Sequence, residues 1–204
     1  TDNENAIASL FRGKTVNFIK CLTVDYSSER EELFYDIQLP VKNMKNIEES
    51  LRSSIQDETL EGKNQYEAEG YGKVDALMGA RYLELPPVLN VLLKRFDYDN
   101  YTGQLVKVGN RFEFPFELDM LPYMSEKANH DECYTYELFS VLVQLGTSYG
   151  GHYYAFARTS PERKWYKFDD DSVSIVDEKT AIDDNFGGQS KLYSAYYLVY
   201  IRKT

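Results

Sequence analysis

The second half of this chain is a succession of short strand-forming segments, "YTYELFSVLVQLG", "GHYYAFAR", "KWYKFD", "SVSIV" and "SAYYLVYIR". Each is rich in aromatic or β-branched residues, and turn residues separate one from the next. Segments so closely spaced pair as antiparallel neighbours, because a tight turn suffices to join them. One helix interrupts the run in "DEKTAIDDNFGG", with Asp177 in the position of an N-cap and Gly187-Gly188 closing it. Composition supports a β-rich body. Eighteen tyrosines and eleven phenylalanines stand against one tryptophan, and 43% of the 204 residues are hydrophobic. That load suits half-buried strands and is ample for a packed core.

The first half is mixed. In "REELFYDIQLPV" the residues Leu33, Tyr35, Ile37, Leu39 and Val41 share one parity, which predicts a single strand with one buried face. The period then changes: Ile47, Leu51 and Ile55 recur at four-residue steps, and Asn46 with Glu49 makes a capping box, so a short amphipathic helix begins there. From Tyr82 to Phe96, "YLELPPVLNVLLKRF" has the apolar density of a strand buried on both faces, entered irregularly at Pro86-Pro87. A further strand follows in "QLVKVGNRFEFP". The fold class predicted is α+β, mainly antiparallel β. No internal repeat, low-complexity run or linker marks a domain boundary.

Net charge is −10, which repels phosphate backbones and anionic lipid and favours a basic partner. Nucleic acid and membrane are therefore not expected as partners. Two cysteines, Cys21 and Cys133, lie far apart with no paired spacing. A reducing intracellular compartment, cytoplasmic or nuclear, fits that usage.

The stretch "GTSYGGHYYAFAR" places His152 behind a glycine pair and ahead of an alternating strand. If "GHYYAFAR" and "KWYKFDDD" form a hairpin with Thr159 to Arg163 as its loop, Arg158 faces Lys164. Counting outward then sets His152 against Asp170, and a shift of one sets it against Asp169. A carboxylate on one ring nitrogen orients an imidazole and raises its basicity, as a general base for a nucleophile requires. The same residues also read as a surface histidine beside solvated aspartates. Three glycines in "GTSYGG" weigh toward function, since they permit close approach of a ligand and a mobile loop.

These residues resemble the histidine box of the ubiquitin-specific proteases, papain-like cysteine enzymes that hydrolyse the bond after the last glycine of ubiquitin. "LFRGK", "LPPVLNVLLKRFDYD" and the closing "SAYYLVYIR" agree in order and cover nearly the whole chain. The details of "DIQLPVKNMKNIEES", "RFEFP" and "NFGG" look closest to the herpesvirus-associated branch. The resemblance implies a deubiquitinase with His152 as general base, Asp169 orienting it and Asp170 as a polar neighbour. It further implies that Phe96, Tyr149, Gly151 and Tyr153 line a channel for ubiquitin's tail. Loops Asp97 to Lys107 and Gly146 to Gly151 would cover that channel. Residues 1–204 would be a partial catalytic domain, with fingers at about 15–91 and palm at about 92–204, the thumb largely missing. The implied partners are ubiquitin, ubiquitinated proteins and the missing thumb segment; no cofactor is implied.

Two departures from the family pattern follow. Many members hold zinc in the fingers with two C-x-x-C pairs. Here those positions fall on Cys21, Val24, Ala68 and Tyr71, so no zinc is expected. The family's cysteine box lies upstream of every matching stretch, and Cys21 in "NFIKCLTVDY" and Cys133 in "DECYTYELF" both lie in strand-like sequence, not at the helix N-terminus that activates a nucleophilic thiol. The expectation is a fragment inactive alone, lacking its nucleophile. The alternative is a non-catalytic ubiquitin-binding scaffold, for which an oriented base has no use.

Overall fold

The computed structural model describes residues 2–159, 162–188 and 190–203. Ser160 and Pro161, within the predicted loop from Thr159 to Arg163, lie outside the described residues. Helix α1 (Asp2–Phe11) leads into β1 (Gly13–Cys21), β2 (Ser27–Phe34), β3 (Ile37–Pro40) and helix α2 (Ile47–Ser54). Short strands β4 (Glu58–Leu60), β5 (Tyr66–Ala68) and β6 (Gly72–Val74) precede β7 (Ala76–Glu84). Next come β8 (Val88–Lys94), β9 (Phe96–Asp99), β10 (Gln104–Lys107) and β11 (Glu117–Asp119). The predicted succession then follows as β12 (Thr135–Gly146), β13 (Gly151–Arg158), β14 (Trp165–Asp169), β15 (Ser172–Val176), the one-turn helix α3 (Glu178–Ala181) and β16 (Tyr193–Arg202).

One large sheet carries the order β15-β14-β13-β12-β16-β8-β3, with β11 on β12. Its neighbours are antiparallel except for β3 on β8. The hydrophobic residues of alternate positions make the core: Leu89, Val91 and Leu93 of β8, Val141 and Val143 of β12, Leu198 and Tyr200 of β16, and Ile47 and Leu51 of α2. Full burial of each such side chain stabilises by about 1.5–3 kcal/mol. β8 corrects the expectation of a strand buried on both faces. Its other face, Val88, Asn90 and Leu92, stays only partly covered.

The segment read as one strand, "REELFYDIQLPV", is two. β2 ends at Phe34 and β3 begins at Ile37; Leu33 and Tyr35 are exposed, while Ile37, Leu39 and Val41 are buried. The chain changes sheets at this bend, so a shared parity cannot put all five residues on one core face. Downstream, Asn46 Oδ1 accepts from the Glu49 amide at 2.8 Å, and Glu49 Oε2 accepts from the Lys45 amide at 2.7 Å. The capping box therefore closes one residue earlier than the usual reciprocal pair.

A second, four-stranded sheet runs β2-β1-β7-β4, with the hairpin β5-β6 beside it. Cys21, Ala68, Val74 and Ala76 form its small core, with Val24, Tyr26, Leu60 and Tyr66 packed against it. The Tyr26 ring lies 6.2 Å from that of Tyr66 and 6.5 Å from that of Tyr71. The four positions of the family's zinc ligands thus contribute one thiol to an apolar, aromatic cluster. Tetrahedral zinc needs four donors, so these residues do not fit it. Among the described residues no helix is long and apolar enough to cross a membrane.

Candidate active site

The hairpin carrying His152 closes one residue differently from the expected count. Arg158 pairs with Trp165, not Lys164, and the ladder ends at Ala155 against Phe168. The Thr159 amide donates to Lys164 O at 3.1 Å, which draws Lys164 into the loop closure. Continued outward, this register sets His152 opposite Asp171, so neither predicted direct pairing holds. Asp169 is instead the diagonal neighbour, two residues away on the same face. Diagonal Cβ atoms lie about 7–8 Å apart or somewhat less, a gap an imidazole and a carboxylate can close. They do close it: His152 Nε2 is 2.5 Å from Asp169 Oδ1. Asp170 occupies the two-residue connection between β14 and β15 with φ of 52°, a left-handed conformation that aspartate tolerates. Its Oδ2 stands 4.0 Å from Nε2, a charged neighbour without a hydrogen bond.

Asp169 is held on both oxygens, since Lys167 Nζ reaches Oδ2 at 2.6 Å. Lys167 first, then His152, holds this carboxyl below the usual carboxylate range. The hydrogen bond to Asp169 raises His152 above 6.5, the charge of Asp170 adds to the rise, and partial burial and Lys167 oppose it. A histidine raised in the folded state contributes stability that is fully present below pH 6.5 and lost as pH rises through the folded value. An NMR titration of the His152 ring should therefore show its midpoint above 6.5. Asp169→Asn should move the midpoint down, because Lys167 then acts unopposed by that carboxylate. A midpoint unmoved by the substitution would mean that the two groups are not coupled in solution.

With Nε2 committed to Asp169, Nδ1 is the nitrogen left for a reacting group. The preceding loop is shaped by glycine. The Thr147 amide donates to Gly150 O at 3.0 Å, and Gly146 has φ of 116° with a Cβ position only 2.6 Å from that oxygen. A side chain at Gly151 would collide with Leu145 O. Tyr149 stands exposed at the tip of this loop.

Phe96 and Tyr153 are brought together through a residue the sequence reading did not single out. The Tyr196 ring lies 5.9 Å from that of Phe96 and 5.9 Å from that of Tyr153, edge-on to both. In β16 the partners of Leu142 and Val143 are Tyr197 and Ala195, so Tyr196 is the extra residue of a bulge. Bulges re-aim side chains, and this one turns Tyr196 out of the ladder toward β9 and β13. The available signal was the doublet Tyr196-Tyr197 in an otherwise alternating strand. Alternation places Tyr153 on the face of β13 opposite His152, Tyr154 and Phe156; the His152 ring lies 6.3 Å from that of Tyr154.

The ring nitrogen and carboxylate oxygens of His152, Asp169 and Asp170 lie within 4.8 Å of one another, the one set among the described residues that could chelate a cation. Both Asp169 oxygens already have hydrogen-bond partners in His152 and Lys167.

The profile of the ubiquitin carboxyl-terminal hydrolase family matches residues 1–200. This chain belongs to that family. Ubiquitin carboxyl-terminal hydrolase 15 of Schizosaccharomyces pombe is 44% identical over 100% of the chain. Ubiquitin C-terminal hydrolase 12 of Arabidopsis thaliana and ubiquitin carboxyl-terminal hydrolase 7 of Drosophila melanogaster are each 42% identical over 98% of it. The chain spans 19%, 20% and 18% of the length of these three hydrolases, respectively.

Neither cysteine of this family member adjoins His152. Cys21 is buried in the small core of the four-stranded sheet. Cys133 lies just before Thr135, the first residue of β12, whereas His152 pairs with Leu145 at the far end of that strand. Ten residues of extended chain separate those ends, roughly 33 Å.

Proposed function

We propose that this chain supplies the general base and its orienting carboxylate to a cysteine-type deubiquitinase that cleaves the bond after ubiquitin's last glycine. The observation that carries this reading is the 2.5 Å contact of His152 Nε2 with Asp169, which leaves Nδ1 available at the rim of the Gly146–Gly151 loop. The nucleophilic thiol comes from a thumb segment outside these residues. Paired with His152, the thiolate attacks the glycine carbonyl; His152 then gives its proton to the departing lysine amine as the thioester forms. In the second half His152 takes a proton from water, which attacks the thioester and frees ubiquitin's carboxylate.

The aromatic wall Phe96–Tyr196–Tyr153 and the loop bearing Tyr149 and Gly151 border the channel for the two terminal glycines. The four-stranded sheet acts as the fingers, gripping ubiquitin's globular body, and the large sheet as the palm. A net charge of −10 suits a basic partner and speeds encounter in a salt-dependent way.

Ubiquitin carrying a fluorogenic group on its C-terminal glycine tests the reading. The full-length protein should turn it over and lose that activity on thiol alkylation, while residues 1–204 alone should bind ubiquitin without turnover. Binding without turnover by the full-length protein would favour a scaffold instead.

A further inference from the structure

The hairpin β9–β10 belongs to neither of the larger sheets; its two strands pair only with each other, from Phe96–Lys107 to Asp99–Gln104. Something other than a backbone ladder must hold it against the large sheet. Lys107, at its base, is half-buried and, among the described residues, pairs with no carboxylate. Its ammonium instead donates to three carbonyls: Gln144 O at 2.9 Å, Gly146 O at 3.2 Å and Leu192 O at 2.8 Å. Three donors meet three acceptors, so the group is fully used. Burial, with the charge of Arg95 nearby, pushes Lys107 down to about 8, the mark of a cation built into the structure and not one solvated at the surface.

The three carbonyls are not scattered. Gln144 and Gly146 end β12, where the glycine loop departs, and Leu192 O also accepts from the Gly146 amide at 2.9 Å. The Gln144 side chain, buried in the same place, points its Nε2 at Thr147 O at 3.4 Å, inside that loop. At its other end, Lys107 pairs through its backbone with Phe96.

We propose that Lys107 is a positioning residue that ties the Phe96–Lys107 hairpin to the Gly146–Gly151 loop and so fixes the width of the channel between them. It touches no reacting atom. The assignment of that gap as a substrate channel rests on the deubiquitinase reading; the tie itself does not.

Two measurements on the full-length protein separate them. Lys107→Met removes all three charge-assisted bonds, and amide hydrogen exchange should rise on the order of tenfold in peptides covering Phe96–Lys107 and Gly146–Gly151. Peptides over the centres of β12 and β13 should not change. On the fluorogenic ubiquitin substrate, KM should rise on the order of tenfold with kcat largely kept, because both loops border bound tail while Asp169 still orients His152. Lys107→Arg keeps the charge but its planar fork cannot meet three converging carbonyls as well, so it should shift the same peptides less; it serves if the methionine variant does not fold. Unchanged exchange in both loops, a uniform rise across the whole chain, or a fall in kcat at constant KM would overturn the tie. Absence of turnover by the unmutated protein would overturn the deubiquitinase reading while the exchange pattern still decides the role of Lys107.

Discussion

His152→Ala in the full-length protein should lower kcat on a ubiquitin C-terminal substrate by about 100- to 10,000-fold, the range general acid–base catalysis supplies. The loss falls on kcat because the imidazole acts twice in each cycle, on the leaving amine and on the attacking water, while Phe96, Tyr153 and Tyr196 on the other side of the strand are untouched. Affinity for ubiquitin, measured by calorimetry, should stay within a few-fold. Asp169→Asn should cost less than His152→Ala: an amide can still accept from Nε2–H, but it no longer stabilises the imidazolium. Turnover that survived His152→Ala unchanged would remove the physical footing of the whole assignment.

The succession of strands from β12 to β16 was legible because each segment is bounded by turn residues and its partner is its sequence neighbour. The site was legible in kind but not in register. Loop closure rests on two backbone hydrogen bonds, Thr159 N–H to Lys164 O and Arg163 N–H to Thr159 O, which residue types do not reveal, and a slip of one moves side chains to the other face. His152 still meets Asp169 because a diagonal neighbour on the correct face serves where a direct partner was expected. Three acidic residues in a row supplied a carboxylate for any register. The break at Tyr35–Asp36 was hidden for a different reason. A parity pattern reports that alternate residues share a face, not that the face belongs to one sheet. Tyr196 was hidden by the bulge, an extra residue that has no signature beyond the Tyr doublet. Lys107 and Arg95 were hidden because partners made of carbonyls are set by tertiary structure, whereas charge–charge partners can be sought in the sequence.

Arg95→Met should destabilise the fold by about 3–5 kcal/mol, the cost of breaking a buried charged network by removing one partner. Arg95 continues the inward parity of Leu89, Val91 and Leu93 and is 0% exposed, yet among the described residues it has no carboxylate partner. Its guanidinium donates from Nε to Ala195 O at 3.1 Å, from Nη1 to Val108 O at 3.2 Å and Asn110 O at 2.5 Å, and from Nη2 to Phe186 O at 3.1 Å. Burial lowers its pKa to about 10, so the charge persists at neutral pH and each bond is charge-assisted. Four carbonyls from three segments thereby share one donor group: β16, the stretch after β10 and the loop after α3. Methionine fills similar volume but takes the guanidinium donor from all four; Phe186 O keeps the Phe112 amide at 2.8 Å, while a buried oxygen left with no donor costs about 1–3 kcal/mol before relaxation. Lysine is no substitute, because its three donors on one atom cannot span the four positions. Arg163, 68% exposed in its ion pair with Glu137, is the control; Arg163→Met should stay within about 1 kcal/mol. Urea unfolding of the three proteins reads the difference directly. Since typical domains are stable by only about 5–15 kcal/mol, the predicted loss is a large share of the total. An Arg95→Met protein matching the Arg163 control would mean that water reaches those carbonyls. Arg95 would then be no buried anchor for the hairpin that begins at Phe96.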